Sequence, residues 1–168
     1  LHVEYTDDVA PAERLFQPLD LAGFSHASFG DYDNDGDDDL VTEGPRLFQN
    51  QGDGTFVEVT TETGIAAMGI AGTGGVFGDY DNDGCLDLFV YAESYTAPDA
   101  LLRSACNGTF TDVTAAAGIV DQQSYEDCNG PGVNVRSPTA GAAWLDVAGD
   151  GFAELFLGDF IWWDKGTG

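Results

Sequence analysis

The 168-residue chain carries 30 acidic against 5 basic side chains, a formal net charge of −25. Such a surface repels phosphate backbones and anionic lipid, which argues against nucleic-acid and membrane-surface binding and favours small cations. At 43% hydrophobic and 12% aromatic the chain is too apolar for a disordered acidic tail, and no apolar run approaches the ~20 residues of a membrane span. It begins at Leu1 rather than Met, as a processed or excised segment does, so the lack of a leader says nothing about compartment.

The 23 glycines, set among aromatic and β-branched residues, point to short strands joined by tight turns. Helical spacing is faint, confined to 60–68 and 112–117, and broken by Gly64, Gly69 and Gly118.

Internal repetition organises the chain. The octet that runs from Phe29 to Gly36 (FGDYDNDG) recurs identically from Phe77 to Gly84. Gly54-Thr55-Phe56 recurs as Gly108-Thr109-Phe110, and Gly64-Ile65 as Gly118-Ile119. A worn third copy starts at Ala143-Trp144-Leu145-Asp146. In chain order, residues 1–6 align with the last strand (D) of the repeats and form an orphan D strand. Unit one spans 24–64, with strands A at 27–32, B at 40–42, C at 46–50 and D at 56–60. Unit two spans 72–118, with strands at 75–80, 86–91, 101–104 and 110–114. An insertion occupies 120–138. A partial third unit spans 140–168, with strand A at 140–145 and strand B at 155–157. Four antiparallel strands per repeat of about 50 residues is the pattern of a propeller blade, so the fold expected is all-β with propeller-like blades.

Each A–B turn is acidic. The first places Asp31, Asp33, Asp35 and Asp39 at positions 1, 3, 5 and 9, with Gly36 at position 6; the second repeats this with Asp79, Asp81, Asp83, Asp87 and Gly84. Carboxylates this close repel and splay the turn unless a cation gathers them. Glycine permits the bend, and the carbonyl at position 7 (Asp37, Cys85) supplies a further oxygen. Hard oxygen ligands in flexible geometry suit Ca²⁺ better than Mg²⁺ or zinc. This is not an EF-hand, because position 12 is Thr42 or Val90 and the flanks are strand-like. The plainer alternative is a solvated turn that caps a hairpin. The third copy, with Asp146, Asp150, Glu154 and the Phe152 carbonyl, has Ala148 at position 3 and reads as a weaker site.

Three cysteines leave one unpaired within the chain. The A–B and C–D turns share one end of a blade, which brings Cys85 towards Cys106 as a disulfide. A Cys106–Cys128 bridge and three reduced thiols are the alternatives. Asn107-Gly108-Thr109 is an N-glycosylation sequon. His2 and His26 lie far apart, and the basic side chains Arg14, Arg46, Arg103, Arg136 and Lys165 are scattered. No nucleophile, phosphate-loop or redox motif is present, so the expectation is a non-enzyme. Trp144, Trp162 and Trp163 either fill the gap between blades or form a carbohydrate platform.

The phrase running from Phe29 through Asp39-Leu40, then Leu47-Phe48-Gln49-Asn50 and Gly52-Asp53-Gly54-Thr55-Phe56, resembles the FG-GAP/VCBS repeat. The nearest likeness is to extracellular propellers of the ASPIC/UnbV and cartilage-acidic-protein type, and a more distant one is to integrin α-chain propellers. The resemblance implies a calcium-bearing propeller, secreted or at a cell surface, that works in adhesion or protein contacts. The chain departs from it at Ala148 and in length, since those propellers have about seven blades. The expected function is a calcium-binding extracellular interaction module whose partners are other extracellular proteins or further copies of itself. A strand order of D, ABCD, ABCD, AB suggests head-to-tail assembly into a ring or filament, or a piece of a longer propeller. The alternative function is a calcium-dependent carbohydrate-binding or carbohydrate-active domain.

Overall fold

A computed structural model of the chain describes residues 24–93, 97–119 and 139–157, and the backbone of 160–161. The expected orphan strand at 1–6, the insertion at 120–138 with Cys128, and Trp162, Trp163, Lys165, Arg14 and Arg136 lie outside the described residues.

The architecture is three antiparallel sheets in chain order. The first holds β1 (Ala27–Gly30), β2 (Asp39–Thr42), β3 (Arg46–Asn50) and β4 (Phe56–Glu58). A one-turn helix, α1 (Ile65–Met68), leads to the second sheet: β5 (Gly74–Gly78), β6 (Asp87–Tyr91), β7 (Ala100–Ser104) and β8 (Phe110–Asp112). The third holds β9 (Ala142–Leu145), β10 (Glu154–Leu157) and β11 (Phe160–Ile161). Each sheet is a meander, and corresponding registers match: Gly30 opposes Asp39, Gly78 opposes Asp87 and Leu145 opposes Glu154. These are β-propeller-like blades. One correction concerns the third unit, expected to show strands A and B. The short pair Phe156↔Ile161 and Leu157↔Phe160 adds a strand in the C position.

Side-chain chemistry trims the strands relative to the sequence pattern. Strand A stops at Gly30 and Gly78 because the amides two residues on, Tyr32 and Tyr80, donate to the carboxylates of Asp39 (3.1 Å) and Asp87 (2.9 Å) instead of continuing the ladder. Strand D stops early because a threonine hydroxyl stands in for a backbone carbonyl. Leu47 N–H donates to Thr60 Oγ1 (3.0 Å) and Leu101 N–H to Thr114 Oγ1 (2.9 Å).

The core lies between blades. On β6, Leu88 and Val90 pack with Tyr32, Val41 and Leu47 of the first blade, while Phe89 and Tyr91 pack with Leu155 and Leu157 of the third. Alternate residues of one strand therefore serve two interfaces, which is why β6 reads as an unbroken apolar run. α1 adds Ile65 to the first interface. His26 helps to tie the first two blades, with Nε2 3.4 Å from Glu93 and its ring edge-on to Tyr91. No helix among the described residues is long and apolar enough to cross a membrane.

Candidate metal centres

Each A–B turn is built the same way from its own side chains. Asp31 accepts hydrogen bonds from the Asp35 and Gly36 amides (3.0 Å each), and Asp35 accepts from the Asp37 amide (3.0 Å). Asp79 and Asp83 repeat the pattern with Asp83, Gly84 and Cys85 (2.9–3.1 Å). These bonds curl the chain into a loop around the carboxylate at its first position. Asn34 and Asn82, at position 4, take left-handed φ values of 60° and 57°; Gly36 and Gly84 follow at 98° and 89°. Asparagine tolerates that region and glycine enters it freely, so the local sequence encodes the curl.

The position-9 carboxylates close the loop from beneath. Asp39 and Asp87 are fully buried at the start of strand B. Asp39 accepts from the amides of Tyr32 (3.1 Å) and Asn50 (2.9 Å); Asp87 accepts from those of Tyr80 (2.9 Å) and Ser104 (2.8 Å). Each thus fastens its turn to strand C. Burial pushes both carboxyl groups up to about 6, against the pull of those amide donors.

Ligand atoms of Asp31, Asp33 and Asp39 lie within 4.8 Å of one another, as do those of Asp79, Asp81 and Asp87. Asp35 and Asp83 are absent from these trios; Asp83 groups instead with Cys85 and Cys106. In the third turn Asp146, Asp150 and Glu154 come together, so position 5 replaces the missing position 3. Asp146 accepts from Gly149, Asp150 and Gly151, Asp150 from Phe152, and Glu154 from Val147, which keeps the same loop without the Ala148 carboxylate.

Asp33 Oδ1 and Asp81 Oδ1 are buried and have no hydrogen-bond partner. A buried anionic oxygen without a donor is costly, and a cation is the natural group to meet it. The two turns therefore fit a hard, oxygen-seeking ion.

Residues 31–90 match the family model of the FG-GAP-like repeat. The matched span begins at the first carboxylate of turn one and ends on β6, so it takes in both intact turns. It supports the FG-GAP/VCBS repeat reading for this part of the chain. No curated protein matches the chain.

Each turn is also braced by residues that the repeated motif does not contain. Gln49 Nε2 donates to Asp33 Oδ2 (2.6 Å). At the equivalent place in the second blade, Arg103 Nε lies 2.7 Å from Asp81 Oδ2, and its Nη2 lies 3.2 Å from Asp83 Oδ2. Arg103 is therefore not a scattered charge but part of the second turn. The only sequence signal for this was the 54-residue offset that aligns Gln49 with Arg103. Successive turns also touch: Asn34 Nδ2 lies 3.7 Å from Cys85 Sγ, and Asn82 Nδ2 donates to the Gly151 carbonyl (2.7 Å).

Cys85 and Cys106 form a disulfide with Cα atoms 5.5 Å apart, joining the second acidic turn to the β7–β8 turn. Asn107 is exposed, and its side-chain oxygen accepts from the amide (3.1 Å) and hydroxyl (2.7 Å) of Thr109. Asp53 does the same for Thr55 in blade one, so the sequon also serves as a turn former. Trp144 packs between blades two and three and donates from Nε1 to the Val76 carbonyl (3.4 Å), which makes it filling rather than a platform.

Proposed function

We propose that the chain is a calcium-binding, non-catalytic interaction module of an extracellular propeller, related to the ASPIC/UnbV and cartilage-acidic-protein type. The observation that carries this reading is the pair of buried, unpartnered oxygens, Asp33 Oδ1 and Asp81 Oδ1, each in a trio of converging carboxylates. Asp31, Asp33, Asp35, Asp39 and the Asp37 carbonyl would hold the first ion. Asp79, Asp81, Asp83, Asp87 and the Cys85 carbonyl would hold the second. Asp146, Asp150, Glu154 and the Phe152 carbonyl would hold a weaker third. When bound, the ion neutralises the crowded carboxylates and stiffens the loop end of each blade, where partner-binding surfaces of propellers lie. The disulfide suits an oxidising compartment. The test is calorimetric titration of chelator-treated protein with Ca²⁺. Saturable binding lost in the double variant Asp33→Asn/Asp81→Asn supports the reading, and no heat of binding overturns it.

The proposed partners are other extracellular proteins or a second copy of the chain, whose D-like segment at 1–6 adds to the third sheet beside β11.

A further inference from the structure

We infer that the two intact turns, identical at all four carboxylate ligand positions, differ in cation affinity because Gln49 and Arg103 stand at the same place beside them. This rests on the cation-binding reading above. Turn one contains six carboxylates in nine residues: Asp31, Asp33, Asp35, Asp37, Asp38 and Asp39. Turn two contains four, because Cys85 and Leu86 replace Asp37 and Asp38. The neutral amide of Gln49 meets Asp33 Oδ2 (2.6 Å), whereas the guanidinium of Arg103 meets Asp81 Oδ2 (2.7 Å) and Asp83 Oδ2 (3.2 Å). Turn one thus offers an ion a more negative loop with a neutral brace. Turn two already holds a built-in cation on two of the carboxylates that an ion would take.

Three consequences follow. Turn one fills at the lower calcium concentration. Turn two fills only against Arg103, which must yield Asp81 and Asp83 or remain as a like charge nearby. In water's dielectric a unit charge about 6 Å from a divalent ion changes affinity by about tenfold. Without calcium the order reverses: Arg103 neutralises turn two from within, while turn one keeps its full repulsion. The arrangement gives one module a site that is filled over a wide range of calcium and a second that responds nearer the top of that range.

The experiment is calorimetric titration with Ca²⁺ of the full chain and of Asp33→Asn and Asp81→Asn, which leave turn two and turn one respectively. The expected result is a tighter class of site lost in Asp33→Asn and a weaker class lost in Asp81→Asn. Arg103→Gln should tighten the weaker class by about tenfold, Arg103→Lys should leave it weak, and Gln49→Arg should weaken the tighter class. A thermal melt adds a readout that a purely structural role does not give. Arg103→Gln should melt below wild type in chelator and at or above it in saturating calcium. Equal affinities in the two single-site variants, or an Arg103→Gln affinity unchanged from wild type, overturn the inference while leaving calcium binding intact. A wild-type chain that binds no calcium overturns both.

Discussion

Phe77 stands over Gly30 so closely that a Cβ placed on Gly30 would lie 2.8 Å from Phe77 Cδ2 and 2.9 Å from its Cβ. The next step of the stack repeats the contact, with the Trp144 ring lying where a Cβ on Gly78 would stand. Each blade therefore seats its strand-A aromatic on the glycine of the blade before it. Leu145, 59% exposed, occupies the seat position of the third blade, and Phe29, the equivalent aromatic of the first, is 51% exposed.

Substitution at these seats should destabilise the stack. Gly30→Ala and Gly78→Ala force a methyl against the root of a packed aromatic, which costs about 1–3 kcal/mol by overpacking. Gly141→Ala, where an added Cβ meets nothing within 4 Å, is the control and should be neutral or slightly stabilising. Urea unfolding of the three variants decides it. Equal midpoints would mean that the seats do not set blade spacing.

Chelation should lower the melting temperature. A site filled at 100 times its dissociation constant adds about 2.7 kcal/mol, a large share of a stability of ~5–15 kcal/mol. Asp33→Ala should reproduce part of the loss in calcium and change little in chelator, whereas Asp81→Ala should lower the melt in both, because it also removes the partner of Arg103. A melt insensitive to chelator counts against calcium as a folding partner.

The pH dependence should change sign with calcium. Asp39 and Asp87 have folded values raised to about 6 by burial, above the ~3.9 of an unfolded aspartate. The folded chain then holds more protons than the unfolded one between about pH 4 and 6, so chelated protein loses stability as pH rises through that window. Calcium prefers the ionised carboxylates and competes with those protons, so loaded protein should gain stability over the same window and release the ion in acid. Melting curves at pH 4.5, 5.5 and 7.5, with and without calcium, test both slopes (about 1.4 kcal/mol per proton per pH unit at most). Parallel slopes would contradict the prediction.

Reduction of the Cys85–Cys106 bridge, which spans a sequence separation of 21, should lower stability by about 3 kcal/mol through the freed unfolded chain. It should also loosen turn two more than turn one, because Cys85 lies in turn two. Hydrogen exchange at the Gly84 and Gly36 amides compares the two. Uniform loosening would argue against a local role for the bridge.

Deleting residues 1–6 should abolish any self-association that depends on strand addition. With Leu145 filling the seat, a copy-to-copy contact of that kind rests on backbone pairing at the sheet edge rather than on the aromatic-on-glycine step used inside the chain. Light scattering that shows a wild-type monomer, unchanged by the deletion, would remove the second copy from the proposed partners.

The sequence by itself determined the parts that are local. Ligand spacing and the position-6 glycine lie within nine residues, so the acidic turns were legible as loops that gather carboxylates. The four-strand unit was legible because its alternation and turns recur at offsets of 48 and 54. The Cys85–Cys106 pairing follows from the ends of the strands on which the two residues sit, with Cys106–Cys128 the less favoured rival, and the fold brings the first pair together. Only the tertiary structure decided what depends on a neighbouring strand or blade. The run Leu88-Phe89-Val90-Tyr91 announced burial on both faces but not that Val41 covers one and Leu155 the other. Gly30 and Gly78 read only as small residues of strand A and are seats for aromatics 47 and 66 positions along the chain. Arg103 looked like an isolated charge because the residues it serves, Asp81 and Asp83, are twenty or so positions earlier, and strand pairing alone closes that gap. Backbone curl is set by each residue's own φ and ψ preferences and is written locally. Packing and charge compensation arise between segments that the chain brings together only when it folds.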